Sequence, residues 1–435
     1  MKKWQKLAAA ALALPLLTVA ACGGDDGTDA PGTDGGDPGS GNLTVWAWDP
    51  AFNIYAMEEA AKIYQEENPD VTVEVIETPW DDLQAKLTTL AQSNEYEELP
   101  DIFLMQNNAF QKNVINYPDL VVPLTDTDID FSQFPEGVVA YSTIDGENYG
   151  VPFDNGTAIM ALRTDVLEEA GYTVDDFTDI TWEEFMTMGE DVLAKTGKPL
   201  LSGMAGQVDT IMIMLQSAGA SLFDEEGNPT IVGNEALLKS IDTYKQLVEK
   251  GIYVEVNSWD EFISTFVNGS VAGVTQGVWI MGSIQTAEDQ SGMWGVTNLP
   301  KLDGLDGATN YSANGGSSWA ISSTGNKELA ADFLAKTFAG STELYDTILP
   351  SSGALANYLP AGDSDVYGEE LEFFGGDAVF SKVVEYSKEV PSNNTGAYYY
   401  EGRDAVSAAV TKILGGTDPE TALEEAQANV EFAMN

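Results

Sequence analysis

The chain has no histidine, one cysteine and only two arginines, Arg163 and Arg403, among 435 residues that include 70 acids. Each shortage removes a class of chemistry. Without histidine there is no imidazole base for a Ser-His-Asp triad, no imidazole proton shuttle and no His-ligated zinc. The lone Cys22 rules out an internal disulfide, and once it is modified no thiol remains for catalysis. The patterns GxGxxG, GxxxxGKS/T and GxSxG are missing, so the chain carries no dinucleotide fingerprint, P-loop or nucleophile elbow. "DTDIDF" (Asp126–Phe131) opens like a calcium loop, but Phe131 stands where the sharp turn needs glycine and no glutamate follows at the twelfth position. It reads as an ordinary loop, and neither a metal nor a cofactor is expected. Positive charge is scarce too: 19 Lys and Arg against the 70 acids give a net charge of −51. Such a field repels phosphate backbones, so no nucleic-acid partner is expected.

What is present begins at the front. Lys2, Lys3 and Lys6 form a positive segment, and Leu7–Ala21 ("LAAAALALPLLTVAA") is an apolar run too short for a comfortable membrane span. Residues 1–21 therefore read as a secretory signal. Val19-Ala20-Ala21-Cys22 is similar to a bacterial lipobox, in which the thiol takes a diacylglycerol and becomes the new N-terminus. Residues 22–42 follow as a Gly/Asp/Thr/Pro tract with no large apolar residue to bury, a flexible tether. The expectation is a body held by lipid on Cys22 at the extracellular face of the cell membrane, the arrangement of a Gram-positive cell.

The body has an ordinary globular composition, with 43% hydrophobic residues, and a length that suits two lobes. "NLTVWAW" (Asn42–Trp48), "VTVEVIE" (Val71–Glu77) and "DIFLM" (Asp101–Met105) read as strands. The helical spacing of Ile54, Met57, Ala60, Ala61 and Tyr64 and the segment Trp80–Gln92 separate them. This alternation is a parallel α/β unit, whose ligands bind at the carboxyl ends of the strands. Further on, Asp145-Gly146 marks a hairpin turn, and extended runs flank Asp154-Asn155-Gly156. Thr181–Glu184 and Ser258–Glu261 are capping boxes that make Trp182 and Trp259 first-turn packing residues. Ser270–Gly282 is strand-like, Pro350–Gly353 is a turn-rich break, and Thr417-Asp418-Pro419-Glu420 opens a final helix. Trp46, Trp294 and Trp319 are assigned to the core.

Three stretches read together: "YGVPFDNGTAIMALRTDVLEEAG" (Tyr149–Gly171), "FVNGSVAGVTQGVWIMGSI" (Phe266–Ile284) and "ANGGSSWAISSTGNKELAADFL" (Ala313–Leu334). With the opening "LTVWAWDPAFN" and the lipobox, they resemble the extracellular solute-binding proteins of family 1, the maltose-binding-like components of carbohydrate ABC importers. The resemblance implies an α/β, two-lobed periplasmic-binding-protein-like (type II) fold with three hinge crossings and a sugar held between the lobes. Matching the hinges gives one lobe from residues 43–153 plus 320–352 and another from 156–312 plus 356–435. Tyr398-Tyr399-Tyr400 departs from the family, which often carries a tryptophan there.

The residue chemistry points to the same ligand. A neutral sugar offers flat C–H faces for aromatic rings and hydroxyls for Asp, Asn and Gln. The loop ends supply both kinds as candidate ligand-binding residues: Trp48, Asp49, Phe52, Asn53, Trp80, Asn107, Asn108, Asp154, Asn155, Gln207, Asp209, Trp279, Asn314, Gly315, Tyr398 and Tyr399. Asp154 and Trp279 match the family's positions on the two flanks of the cleft. No catalytic residue is assigned. The expected machine is a monomer that closes on an oligosaccharide and is read by transmembrane permease subunits. Two rival readings remain at this point. A secreted glycoside hydrolase would draw its acid/base pair from the many carboxylates, and a peptide-binding lipoprotein would need charged partners for both peptide termini.

Overall fold

Two sheets organise the chain. A computed structural model describes residues 40–224, 226–391 and 396–434, which fall within one unit, Pro38–Asn435. The signal segment, Cys22 and the tether up to residue 39 lie outside the described residues. The strands of the two sheets are β1 (Ser40–Ala47), β2 (Asp70–Glu77), β3 (Ile102–Gln106), β4 (Val151–Asp154), β5 (Ala158–Arg163), β6 (Gly273–Gly277), β7 (Trp294–Thr297) and β8 (Ser317–Ile321). The first lobe carries the order β2-β1-β3-β8-β4, parallel through β2, β1 and β3 and antiparallel at β8. The second carries the antiparallel order β6-β5-β7 and, beside it, a parallel pair, Leu201–Met204 with Tyr253–Val256.

The local chemistry accounts for these elements. In β1, Leu43, Val45 and Ala47 are buried while Thr44 and Trp46 are only half so, the period of two of a strand with one face on the core. In β3, Ile102–Met105 are all buried, as befits a central strand covered on both faces. β1 begins at Ser40, so Gly41 and Asn42, assigned above to the tether, pair with Val71 and Thr72 instead. Helices α1 (Tyr55–Glu67) and α2 (Trp80–Ser93) connect the parallel strands as expected. In the second lobe, α3 (Asp209–Ser217) buries Thr210–Leu215 on all sides, and α4 (Tyr399–Leu414) packs Val406, Val410 and Ile413 into the same core. That core also holds Trp182, and the first-lobe core holds Trp319.

Three expectations need correction. The Thr181–Glu184 box is complete, but at Ser258 only one half forms, because the Glu261 carboxylate accepts from the Asn257 amide instead. The strand expected over Ser270–Gly282 stops at Gly277, and a short helix, Ile280–Gln285, follows. A Cβ on Gly277 would lie 2.5 Å from the Asn314 carbonyl and 2.1 Å from the Trp279 indole nitrogen, so the turn needs glycine there. The break at Pro350 is also displaced, since the helix Thr342–Ser352 runs through that proline and ends at Gly353 in the left-handed region.

The lobes are joined where three distant segments meet. Asn155 N donates to Leu355 O, Asn314 N to Gly156 O, and Ala158 N to Ser312 O, at 2.7–3.1 Å. The Asn357 amide donates to the Asp154 carbonyl at 2.6 Å. Gly156 is fixed by this crowding, because a Cβ there would stand 2.7 Å from the Asn314 carbonyl oxygen. These are the three crossings of a two-lobed hinge.

Candidate functional site

Between the lobes, at the hinge, lies a recess partly open to solvent. The first lobe contributes Asn108 and Tyr141, the hinge Ala313, Asn314 and Gly315, and the second lobe Met212, Leu215, Gln216, Ser221, Leu222 and Tyr399. Their roles divide by element. α3 carries Met212, Leu215 and Gln216 on consecutive turns, giving an apolar floor with one amide at its edge. Tyr399 stands at the first position of α4. Burial raises the phenol pKa of Tyr141 and of Tyr399, so both stay neutral hydroxyls. Among the described residues, no Asp or Glu lines this recess.

A second, smaller recess opens on the second lobe, among Gly203, Met204, Gln207, Asp209, Tyr253, Trp259, Phe262 and Gln276. Gln276 links the two: its side-chain oxygen accepts from the Asn314 amide, and its nitrogen donates to Asp209 at 3.3 Å. Arg403 seals the far side. One guanidinium nitrogen donates to both Gln207 Oε1 and Asp209 Oδ1 at 2.6 Å, while the guanidinium carbon lies 5.8 Å from the Trp80 ring centre.

Trp80 belongs to the first lobe and Arg403 to the second, so this contact bridges the cleft mouth. It has company on the same turn of α4. The Tyr400 ring packs 5.8 Å from Trp80 and its hydroxyl donates to Gln106 Oε1, while Glu401 pairs with Lys112. Four cross-lobe contacts thus start from residues 400–403, one residue beyond the tyrosine that lines the recess.

The expected site residues divide accordingly. Asn108, Asn314, Gly315 and Tyr399 come together in the main recess, Gln207 and Asp209 in the second, and Trp80 at the mouth. The others are engaged by their own scaffold. Asp49 caps the turn at Pro50 through Ala51 N, and Asn53 Oδ1 accepts from the amides of Trp48 and Asp49. Phe52 is buried against Phe153, and Trp48 packs between the two clusters of the first-lobe core. Asn107 accepts from the Ser318 hydroxyl, Asn155 accepts from Thr157, and Tyr398 leans on the second-lobe core.

Asp154, 2% exposed, accepts from the amide and the hydroxyl of Ser317. Burial pushes the carboxyls of both Asp49 and Asp154 up to about 6, partly offset by these hydrogen bonds. Trp279 donates its indole N–H to the Asn314 carbonyl at 2.9 Å and packs between Phe52 and Trp259, touching the cores of both lobes. The hinge thus takes up the two residues on which the sequence reading leaned most.

Sequence reasoning missed Tyr141, Met212, Leu215, Gln216, Leu222, Gln276, Tyr400 and Arg403, and it gave Trp259 a packing role although the ring also lines the second recess. The all-round apolar "DTIMIMLQS" was a signal for a helix buried on every face, and Arg403, one of two arginines, was a signal by rarity.

These features define a class: two α/β lobes on a three-segment hinge, with a recess in the cleft. Residues 59–361 match the family described as bacterial extracellular solute-binding protein, and the chain belongs to that family. It is 36% identical to a lactose-binding protein of Rhizobium radiobacter over 88% of this chain and 91% of that one. It is 26% identical to an arabinooligosaccharide-binding protein of Halalkalibacterium halodurans over 91% and 90%. In fold it is similar to an ABC transporter associated binding protein from B. animalis subsp. lactis in complex with β-1,6-galactobiose. The TM-score is 0.77 at 18% identity, covering 91% of this chain and 97% of that one. A maltose-bound protein of T. maritima is similar at TM-score 0.75 and 18% identity, covering 90% and 99%.

Proposed function

We propose that the chain is the lipid-anchored, extracellular solute-binding component of an ABC importer, capturing a neutral oligosaccharide in the cleft and delivering it to a membrane permease. One observation carries the ligand class. In a chain of net charge −51, the described residues lining the main recess include no acid and supply amides, phenols and apolar side chains. Amides and phenols match sugar hydroxyls, the Tyr399 ring and the Met212–Leu215 floor match C–H faces, and nothing there answers a charged ligand. The relatives named for lactose and arabinooligosaccharide support the same reading. Hydrolysis of a glycoside would need two carboxylates across the bond, which this lining does not supply.

The mechanism is a hinge equilibrium. Sugar held on Gln216 and Tyr399 of one lobe meets Asn108 and Tyr141 of the other only when the cleft is shut, so binding shifts the population toward closure. The permease then reads the closed form. Titration calorimetry with lactose, β-1,6-galactobiose and arabinotriose is expected to give saturable binding with the sugar recovered intact. Small-angle scattering should show a smaller radius of gyration at saturation. Released monosaccharide would favour the hydrolase, and an unchanged radius would refute closure. The anchor rests on Val19-Ala20-Ala21-Cys22, and Cys22→Ser should release the protein from membranes or leave it unprocessed. An unmodified Cys22 in native membranes would contradict it.

A further inference from the structure

Arg403 is the one arginine at the cleft, and its charge is already answered. The other, Arg163, is held by Asp165. The Arg403 and Asp209 side chains are 12% and 23% exposed, so the pair sits at the wall, shielded but not sealed. Both acceptors of its Nη2, Asp209 and Gln207, line the second recess, and the guanidinium face lies against Trp80. Asp404 on the same turn adds further negative field at Arg403. Lys112, the other cation facing the mouth, is likewise paired, with Glu401. A planar guanidinium with a free edge is the group best suited to grip a carboxylate by two parallel bonds. Here Nη2, which both two-nitrogen edges share, already gives its hydrogens to Gln207 and Asp209.

We infer that Asp209 is a specificity-determining residue, which by occupying Arg403 makes the cleft reject sugars that carry a carboxylate. The inference rests on the reading of the cleft as a sugar site. Arg403 and Asp209 form a neutral unit, so a hydroxyl can approach at no electrostatic cost, while a uronate must displace Asp209 or sit beside it. A charge-removing, nearly isosteric change at Asp209 leaves Arg403 with neutral acceptors only and so frees the guanidinium charge for an anionic ligand.

The test compares lactose with lactose whose galactose C6 is oxidised to a carboxylate, by calorimetry at about 0.15 M salt, where the general field of the protein is screened beyond about 8 Å. Wild type is expected to prefer lactose by about tenfold or more, and Asp209→Asn to narrow that preference by about tenfold, the scale of one charge-assisted hydrogen bond. Arg403→Gln leaves Asp209 without its cation and should widen the preference, so the two variants move the ratio in opposite directions. A general loss of fold would move both affinities together, and melting curves identify that case. Should Asp209→Asn fail to fold, the Arg403→Gln ratio decides. Equal binding of both sugars by wild type overturns the inference, as does a folded Asp209→Asn with unchanged preference or an Arg403→Gln that narrows it. Failure of wild type to bind lactose, β-1,6-galactobiose and arabinotriose alike overturns the sugar reading, and this inference with it.

Discussion

On the first-lobe side of the cleft, polar residues at the strand ends turn back on their own chain: Asp49 caps a turn, Asn53 holds two amides, Asn107 takes the Ser318 hydroxyl and Asp154 takes Ser317. On the second-lobe side, Gln216, Tyr399, Gln207 and Asp209 line open recesses. The same residue types hold turns and amides on one wall and face a recess on the other. The difference lies in the backbone each wall must satisfy. The first lobe presents parallel strand ends and tight turns whose amides need acceptors at once. The second presents helices α3 and α4, whose interior backbones are already bonded, so their polar side chains bond to one another, Arg403 to Asp209, or to a distant carbonyl, Gln216 to Pro391, at the rim of the recesses. On the proposed sugar reading the second lobe is the seat, and the first lobe, with Asn108, Tyr141 and Trp80, the cover.

Mutations at the hinge should break this contrast most strongly. Trp279→Ala removes a ring packed on both cores and the hydrogen bond to Asn314. It is expected to cost about 3–5 kcal/mol of unliganded stability in urea unfolding. A variant of normal stability that has lost sugar affinity would move Trp279 from the hinge into the seat.

Asp154→Asn should act in the opposite direction, with a dependence on pH. The folded carboxyl titrates near 6 and the ordinary value is 3.8, so between these values the folded chain holds a proton that the unfolded chain has released. Its stabilising contribution is complete below about pH 4 and is lost as the pH rises through 6. Asparagine keeps an acceptor for Ser317 without a charge to desolvate. The variant should be more stable than wild type at pH 7.5, by up to about 3 kcal/mol, and equal to it near pH 4. Melting curves at the two pH values check this, and a less stable variant at pH 7.5 would show that the charge itself is needed.

Tyr399→Ala tests the seat. It should weaken sugar binding by about tenfold, about 1.4 kcal/mol, with the unliganded melting temperature nearly unchanged. The smallest effect belongs to the mouth. Lys112→Met removes the ion pair with Glu401, which touches no ligand, and should cost less than about 1 kcal/mol of affinity, shrinking at high salt. A salt-independent loss would assign Lys112 to the ligand instead.

The strands of the first lobe were legible because period-two burial and helix caps are local signals. The hinge at Asp154-Asn155-Gly156 was legible through the family resemblance, while its own residues showed only a break between two extended runs. The candidate site was legible only in part as geometry. Loop ends named Asn108, Asn314 and Tyr399, which line the main recess, and also Asp49, Asn53 and Asp154, which bond to nearby backbone or side chains and look identical in sequence. That neighbour comes from far along the chain: Ser317 for Asp154, and Ser318 for Asn107. Met212, Leu215 and Tyr141 were invisible for the converse reason, since apolar and aromatic residues on a buried helix look like core until the opposite lobe fails to cover them.

The insertion of β8 between β3 and β4 has a consequence for the order in which the molecule can be made. Residues 317–321 complete the middle of a sheet whose first strand begins at Ser40, and the whole second-lobe sheet is synthesised between them. Until Ile321 is available, β3 and β4 each face a gap with unpaired amides, and the first lobe has no finished core. Contacts of such long sequence separation form late. A chain emerging in N-to-C order therefore stays open to handling as an extended polymer for most of its synthesis, and it commits to its fold only after three quarters of it has been delivered, a timing well matched to a polypeptide that must be threaded across a membrane before it folds.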